Sequence, residues 1–199
     1  MRFVKPSSLL AGRLVFSLDP SAELAKARNN FLALCKGDKG ACKNAPNKRL
    51  HYLRSPIHRI VRGYVAQGGD ITRGDGSGGE VCIPVLLYFI YFISFNPLPI
   101  IIIIKSIYGG KFKDEKEGLK KDVRRGSLAM ANSGKNSNSS QYFVVLANDA
   151  TSWAKVKGKY VVFGEVKEGE EVLDKLDAVG TENGVPGQKV WVGDCGVLE

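Results

Sequence analysis

Residues 81–104 carry no charged side chain in a chain of 199 residues. About 20 apolar residues in a helix span a bilayer, so this stretch is long enough to cross one. Its content argues otherwise. Pro84, Pro97 and Pro99 interrupt it, and each would break a helical hydrogen-bond ladder. The isoleucine run 100–104 is a poor helix former. The residues on either side read as two halves of one small β-rich domain, and a closed β-structure cannot have its halves on opposite faces of a membrane. A further property concerns the coding sequence. Every Val codon begins GT and one of the two Lys codons is AAG, so the stretch Val81 to Lys105 can begin GT and end AG in frame. It is rich in Ile, Phe, Leu, Tyr and Pro and holds no Gly, Ala, Asp, Glu or Arg. We read residues 81–105 as an apolar insertion of the kind a translated intron would give, within a single domain spanning 1–199. No membrane partner is expected unless the insertion is part of the working protein.

The rest of the chain is organised around Ser127 to Val145. Both ends of this stretch are apolar and strand-like, and Asn132 to Ser140 is a loop of Asn, Ser, Gly and Lys, residues that bond to their own backbone in turns. A strand, a polar loop and a second strand with Tyr142 and Phe143 set a backbone ledge beside an apolar patch. That is the groundwork of a peptide-binding groove.

Short strands are expected at Leu14–Leu18, His58–Val61, Tyr64–Gln67, Tyr160–Val166, Lys189–Gly193 and Val197–Leu198. Asp19-Pro20 should open a helix as N-cap and first helical residue. Leu24, Ala27, Phe31 and Leu34 then lie on one face, and Gly37 stops it. A second helix over Glu170–Val179 turns Val172, Leu173, Leu176 and Val179 inward, with Gly180 at its C-cap. Lys36–Tyr52 reads as a polar, basic loop and Lys113–Arg125 as a solvated loop or turn. The glycine-rich stretch 68–79 lacks the Lys-Ser/Thr of a phosphate-binding loop and opens no helix. It reads as close-approach loops around a groove.

Net charge is +9, but the basic residues are dispersed and do not interleave with aromatics, so no nucleic-acid partner is expected. Cys35, Cys42, Cys82 and Cys195 form no CxxC pair, and the histidines are His51 and His58 alone. Neither a metal site nor any other cofactor is expected. Reduced thiols suit a cytoplasmic protein, and the N-terminus lacks the long apolar core of a signal peptide.

Six motifs stand in order: His58-Arg59-Ile60, Gln67-Gly68-Gly69-Asp70, Ser106-Ile107-Tyr108-Gly109, Met130-Ala131-Asn132, Ser139-Ser140-Gln141-Tyr142-Phe143 and Val162-Phe163-Gly164. Together they resemble the cyclophilins, the cyclosporin-binding peptidyl-prolyl cis-trans isomerases. The resemblance runs from about Gly12 to the C-terminus and skips 81–105, across which Glu80 joins Ser106 as in that family. It implies a mainly β fold, an eight-stranded antiparallel closed β-barrel capped by two α-helices. It implies a monomer that isomerises X–Pro bonds in proline-containing peptides and proteins, assists folding, and takes a cyclosporin-type ligand.

The resemblance gives Arg59 and Gln67 the catalytic roles, with Arg59 donating to the prolyl nitrogen and carbonyl and Gln67 holding it. Tyr64, Val65 and Phe143 would form the proline pocket. Asn132 would offer backbone groups to the residue before proline, with Ala131 and Gln141 lining the groove and Gly76 on its rim. Trp153 stands for the tryptophan of drug binding, within a segment of extra residues at 148–158. Tyr64, Val65 and Tyr160 stand where the family commonly has Phe, Met and His. The first strand of the family is shortened or replaced in Met1 to Leu10. The loop 36–52 resembles that of divergent-loop cyclophilins, in which two cysteines near Cys35 and Cys195 are redox-active. The alternative to an active isomerase is a non-catalytic proline-peptide binding module, impaired by the insertion.

Overall fold

The computed structural model describes residues 12–42, 45–78 and 106–198. The insertion and the expected remnant of a first strand in 1–10 lie outside the described residues. Eight strands are found among the described residues: β1 (Val15–Leu18), β2 (Ala41–Cys42), β3 (Ala45–Arg49), β4 (Arg59–Val61), β5 (Val65–Gly68), β6 (Ser127–Met130), β7 (Tyr142–Val145) and β8 (Val162–Glu168). The helices are α1 (Ala25–Lys36), α2 (Lys116–Lys120), α3 (Ala150–Val156) and α4 (Glu170–Ala178). None is long and apolar enough to cross a membrane, among the described residues.

Strict alternation along the central strands builds two cores, one on each face of one antiparallel sheet. Ile60, Ala66, Leu128, Met130, Tyr142, Val144 and Phe163 face one way. Val65, Ala129, Ala131, Phe143, Val145 and Val162 face the other. A period of two puts neighbours on opposite faces, so strands β6 and β7 are buried at every position. The inner core is closed by Leu24, Phe31 and Leu34 from the α1 segment and by Val172, Leu173 and Leu176 from α4. Phe31 is its hub, with ring centroids 5.3 Å from Tyr142, 5.4 Å from Phe163 and 5.4 Å from Tyr52. The outer core is covered by Val123, Val156 and Trp153.

The strands do not form one closed barrel among the described residues. Six pair in the order β1-β8-β6-β7-β5-β4, and β2 pairs only with β3. The outer edge of β4 is covered by a loop: Ile60 N–H donates to Gly184 O and Thr181 N–H to Ile60 O. Of the strands expected at the C-terminus, 189–193 pairs through one isolated bridge and 197–198 is in no strand. Residues 190–192 run beside 54–57, with Ile57 N–H on Val190 O and Val192 N–H on Ser55 O. Pro56 faces Trp191 there, and a proline has no N–H with which to extend the ladder.

Helix boundaries differ from the sequence expectation in three places. Asp19 Oδ1 accepts from Ser21 N–H at 2.8 Å, which makes a turn and a 3-10 segment at Ala22–Leu24 before α1 begins. Gly180 is not the left-handed cap of α4, because Val179 ends it in a right-handed conformation. A Cβ at Gly180 would meet Ile60 Cγ2 at 3.0 Å, so this glycine permits close approach to β4. The segments read as loops at 36–52 and 113–125 contain the β2–β3 ribbon and the short helix α2. The left-handed cap at Gly37 is as expected, with φ 67° and its N–H on Ala33 O.

Candidate active site

The register of the sheet lays out the site. Arg59 on β4 stands opposite Gln67 on β5, Gln67 opposite Phe143 on β7, and Phe143 opposite Ala129 on β6. This row lies on the face of the outer core. An exposed guanidinium at the sheet edge, a half-buried amide and a buried aromatic ring therefore follow one another across about 10 Å, at about 5 Å per strand. Val65 pairs with Val145 two residues further along β5 and is buried against the same cluster as Phe143.

The apolar cluster around Phe143 is edged by aromatic rings. Tyr160 meets Phe143 edge-on, with centroids 5.1 Å apart and planes at 90°. Tyr64, Trp153 and Tyr160 are half-buried around this cluster. Trp153 comes from α3, and its Nε1–H donates to Ala147 O at 2.9 Å, so its indole is held as a wall. Lys155 Nζ lies 5.9 Å from the centre of the Tyr64 ring. Burial pushes the Tyr64 phenol above its ordinary value, and the nearby Tyr160 adds to this. No hydrogen bond engages either phenol oxygen among the described residues.

The polar ledge follows β6. Ala131 N–H donates to Gln141 O at 3.0 Å, which continues the β6–β7 ladder by one residue. Asn132 comes next. Its Nδ2 donates to Lys159 O at 3.2 Å and its Oδ1 accepts from Gly134 N–H at 3.2 Å. The side chain is thus occupied, while the backbone of Asn132 is engaged by no hydrogen bond among the described residues. Gln141 links ledge and catalytic row, since Gln67 Nε2 donates to Gln141 Oε1 at 2.9 Å and Gln141 Nε2 donates to Gly76 O at 3.0 Å.

On the other side of Arg59 a cleft of about 320 Å³ opens, lined by His58, Arg59, Gln67, Asp75, Gly76, Asn183, Gly184 and Val185. Gly76 has φ +86°, and a Cβ there would stand 2.7 Å from the His58 ring. Only glycine lets the rim approach so closely. Both His58 ring nitrogens are buried without a hydrogen bond, and burial holds this imidazole below its ordinary 6.5, against the pull of Asp70 and Asp75.

The structure thus packs Tyr64, Val65, Ala131, Phe143, Trp153 and Tyr160 in one apolar cluster, sets Arg59, Gln67 and Gly76 along the cleft, links Gln141 to both Gln67 and Gly76 and places Asn132 after Ala131 at the end of β6. Sequence reasoning missed the far wall, Asp75 and Asn183 to Val185. The Asn183-Gly184 pair is a turn signal, but backbone bonds made across the fold, among them Ile60 N–H to Gly184 O, bring that turn to Arg59. Among the described residues no group of three His, Cys, Asp or Glu could hold a metal ion.

A cationic fork at the rim of an aromatic pocket, beside an open backbone ledge, suits an extended peptide with a small apolar ring. The family model for cyclophilin type peptidyl-prolyl cis-trans isomerase/CLD matches residues 4–197. The chain belongs to this family. It is a cyclophilin-type isomerase of X–Pro bonds in proline-containing substrates. The cyclophilin match spans both sides of the 81–105 segment.

Proposed function

We propose that Arg59 is the catalytic group and that Phe143, Tyr64, Val65 and Tyr160 hold the proline ring while the bond turns. The barrier to be lowered is about 18–20 kcal/mol, set by amide resonance. In the twisted state the prolyl nitrogen becomes pyramidal and accepts a hydrogen bond it cannot accept when planar. A donor placed there binds the transition state more tightly than the ground state. The guanidinium supplies two parallel N–H groups, one for the nitrogen and one for the prolyl carbonyl. The Asn132 backbone holds the residue before proline, and Gln67 restrains Arg59. No bond is made or broken in this reaction.

The observation that carries this reading is the row Arg59–Gln67–Phe143. It fixes the fork one strand beyond the amide and two beyond the ring. We further propose a monomeric, cytoplasmic folding helper with a cyclosporin-type ligand in the same groove, and an insertion at 81–105 dispensable for catalysis. The experiment is a protease-coupled proline isomerisation assay on the full chain and on a version lacking 81–105, each with and without Arg59→Ala. Loss of about 10²–10³-fold in kcat/KM on removal of Arg59 is expected, the size seen when one preorganised transition-state donor is deleted. An unchanged rate would refute the role of Arg59. Binding of proline peptides without turnover in either version would make the chain a binding module.

A further inference from the structure

Gln67 and Gln141 each end in an amide that has two possible orientations, with a donor on one side and an acceptor on the other. A chain of hydrogen bonds selects one. Asp70 is buried. Its Oδ1 accepts from Thr72 N–H, Thr72 Oγ1 and Arg73 N–H, and its Oδ2 accepts from Gly76 N–H at 3.0 Å and Gly78 N–H at 3.1 Å. Burial pushes this carboxyl up, but the bonds from Arg73, Thr72 and Gly76 outweigh it and hold it below its ordinary value. The carboxylate therefore pins the loop that carries the Gly76 carbonyl. A carbonyl is an acceptor only, so Gln141 must turn its Nε2 to Gly76 O. Its Oε1 then faces Gln67, which must answer with Nε2. The relay leaves Gln67 Oε1 as an unspent acceptor among the described residues, on a side chain that lines the same cleft as Arg59.

We propose that Asp70 and Gln141 are positioning residues: through Gly76 and Gln67 they fix the acceptor that orients the Arg59 guanidinium for isomerisation. This rests on the Arg59 role proposed above. The relay joins two stretches distant in sequence, since Gln67 and Gln141 are 74 residues apart and Gln141 and Gly76 are 65 apart. Its direction is set at one end by the Gly76 carbonyl, which can only accept, and the Asp70 carboxylate holds the loop that carries it. A reversed relay would put two acceptors, Gly76 O and Gln141 Oε1, against each other.

The test uses Gln141→Glu and Asp70→Asn in the full chain, with Arg59→Ala and wild type alongside. A carboxylate at 141 has the shape of the amide and accepts from Gln67, but cannot donate to Gly76 O. At pH 7.5 kcat should fall about 10- to 100-fold, as for a catalytic group displaced by a fraction of an ångström. Lowering the pH protonates the new carboxyl and restores a donor, so its kcat should rise again relative to wild type. Asp70→Asn should lower kcat more than it raises KM, with no acid rescue. A Gln141→Glu profile parallel to wild type, or one depressed equally at every pH, overturns the relay, as does an Asp70→Asn with wild-type kcat. Should Asp70→Asn not fold, the Gln141→Glu profile decides alone. The Arg59 reading fails separately, by wild-type activity in Arg59→Ala.

Discussion

Glu115 Oε2 accepts a hydrogen bond from the backbone N–H of Ala27 at 2.9 Å, from 88 residues further along the chain. The other oxygen, Oε1, accepts from Lys26 N–H at 2.8 Å. The first turn of α1 has no acidic residue and no side-chain cap of its own. The carboxylate supplies what a local cap would, satisfying two orphan N–H groups and facing the positive end of the helix. Glu115→Ala should therefore destabilise the fold by about 1–2 kcal/mol. Glu115→Gln, which can keep one of the two bonds, should cost less. Urea unfolding checks the order.

Phe31 fills the space between α1 and the sheet and touches four other aromatic rings. Phe31→Ala should cost about 3–5 kcal/mol, because the surrounding rings cannot collapse onto the void. Phe31→Leu should retain more than half of that. Thermal unfolding of both variants measures the difference.

Asp19 gives the fold a defined acid limb. Its carboxyl is held at about 2 against an ordinary 3.8, first by the hydrogen bond to Lys121 and then by those from Ser21. The Lys121 Nζ to Asp19 Oδ2 distance is 2.5 Å. A folded value below the unfolded one means that the unfolded chain takes up the proton first. The stabilisation is complete above 3.8 and lost as pH falls through about 2. Asp19→Asn should flatten stability across that window and leave its slope near neutrality unchanged, as read by urea midpoints at successive pH values.

Cys35 should be inert in the folded protein. Burial, and then the neighbouring Cys195, push its thiol up to about 12. Burial also raises Cys195, whose sulfur lies 3.4 Å from His51 Nε2. Since the thiolate is the nucleophile, iodoacetamide at neutral pH should label Cys35 only after denaturation, and Cys195 slowly before it. Mass spectrometry of the two peptides resolves the order.

The strands around Arg59, Gln67 and Phe143 were legible because each alternates within a few residues, and alternation is a local property. The β6–loop–β7 unit was legible for the same reason. The start of α1 was not: Asp19-Pro20 carries a helix-opening signal, yet the cap that decides the matter sits at Glu115. The helix α3 at Ala150–Val156 had a local signal that was passed over, with Asp149 Oδ1 accepting from Ser152 N–H at 2.8 Å. The residues proposed for the pocket come from their motifs. The far wall of the cleft is not legible in the sequence, since Asn183 and Gly184 reach Arg59 through backbone bonds made across the fold. The closed barrel implied by the resemblance needs strand edges to meet, and among the described residues the edge of β4 meets a loop instead.

The pairing of β1 with β8 joins Val15 to Glu168. During synthesis the first strand is made about 150 residues before its partner. At about 5–20 residues per second, Val15 to Leu18 wait about 8–30 s on a ribosome with one half of their ladder missing. The N-terminal half of this isomerase is thus, for that interval, an unpaired strand among other nascent chains, and must itself be kept from wrong partners until its last strand is made.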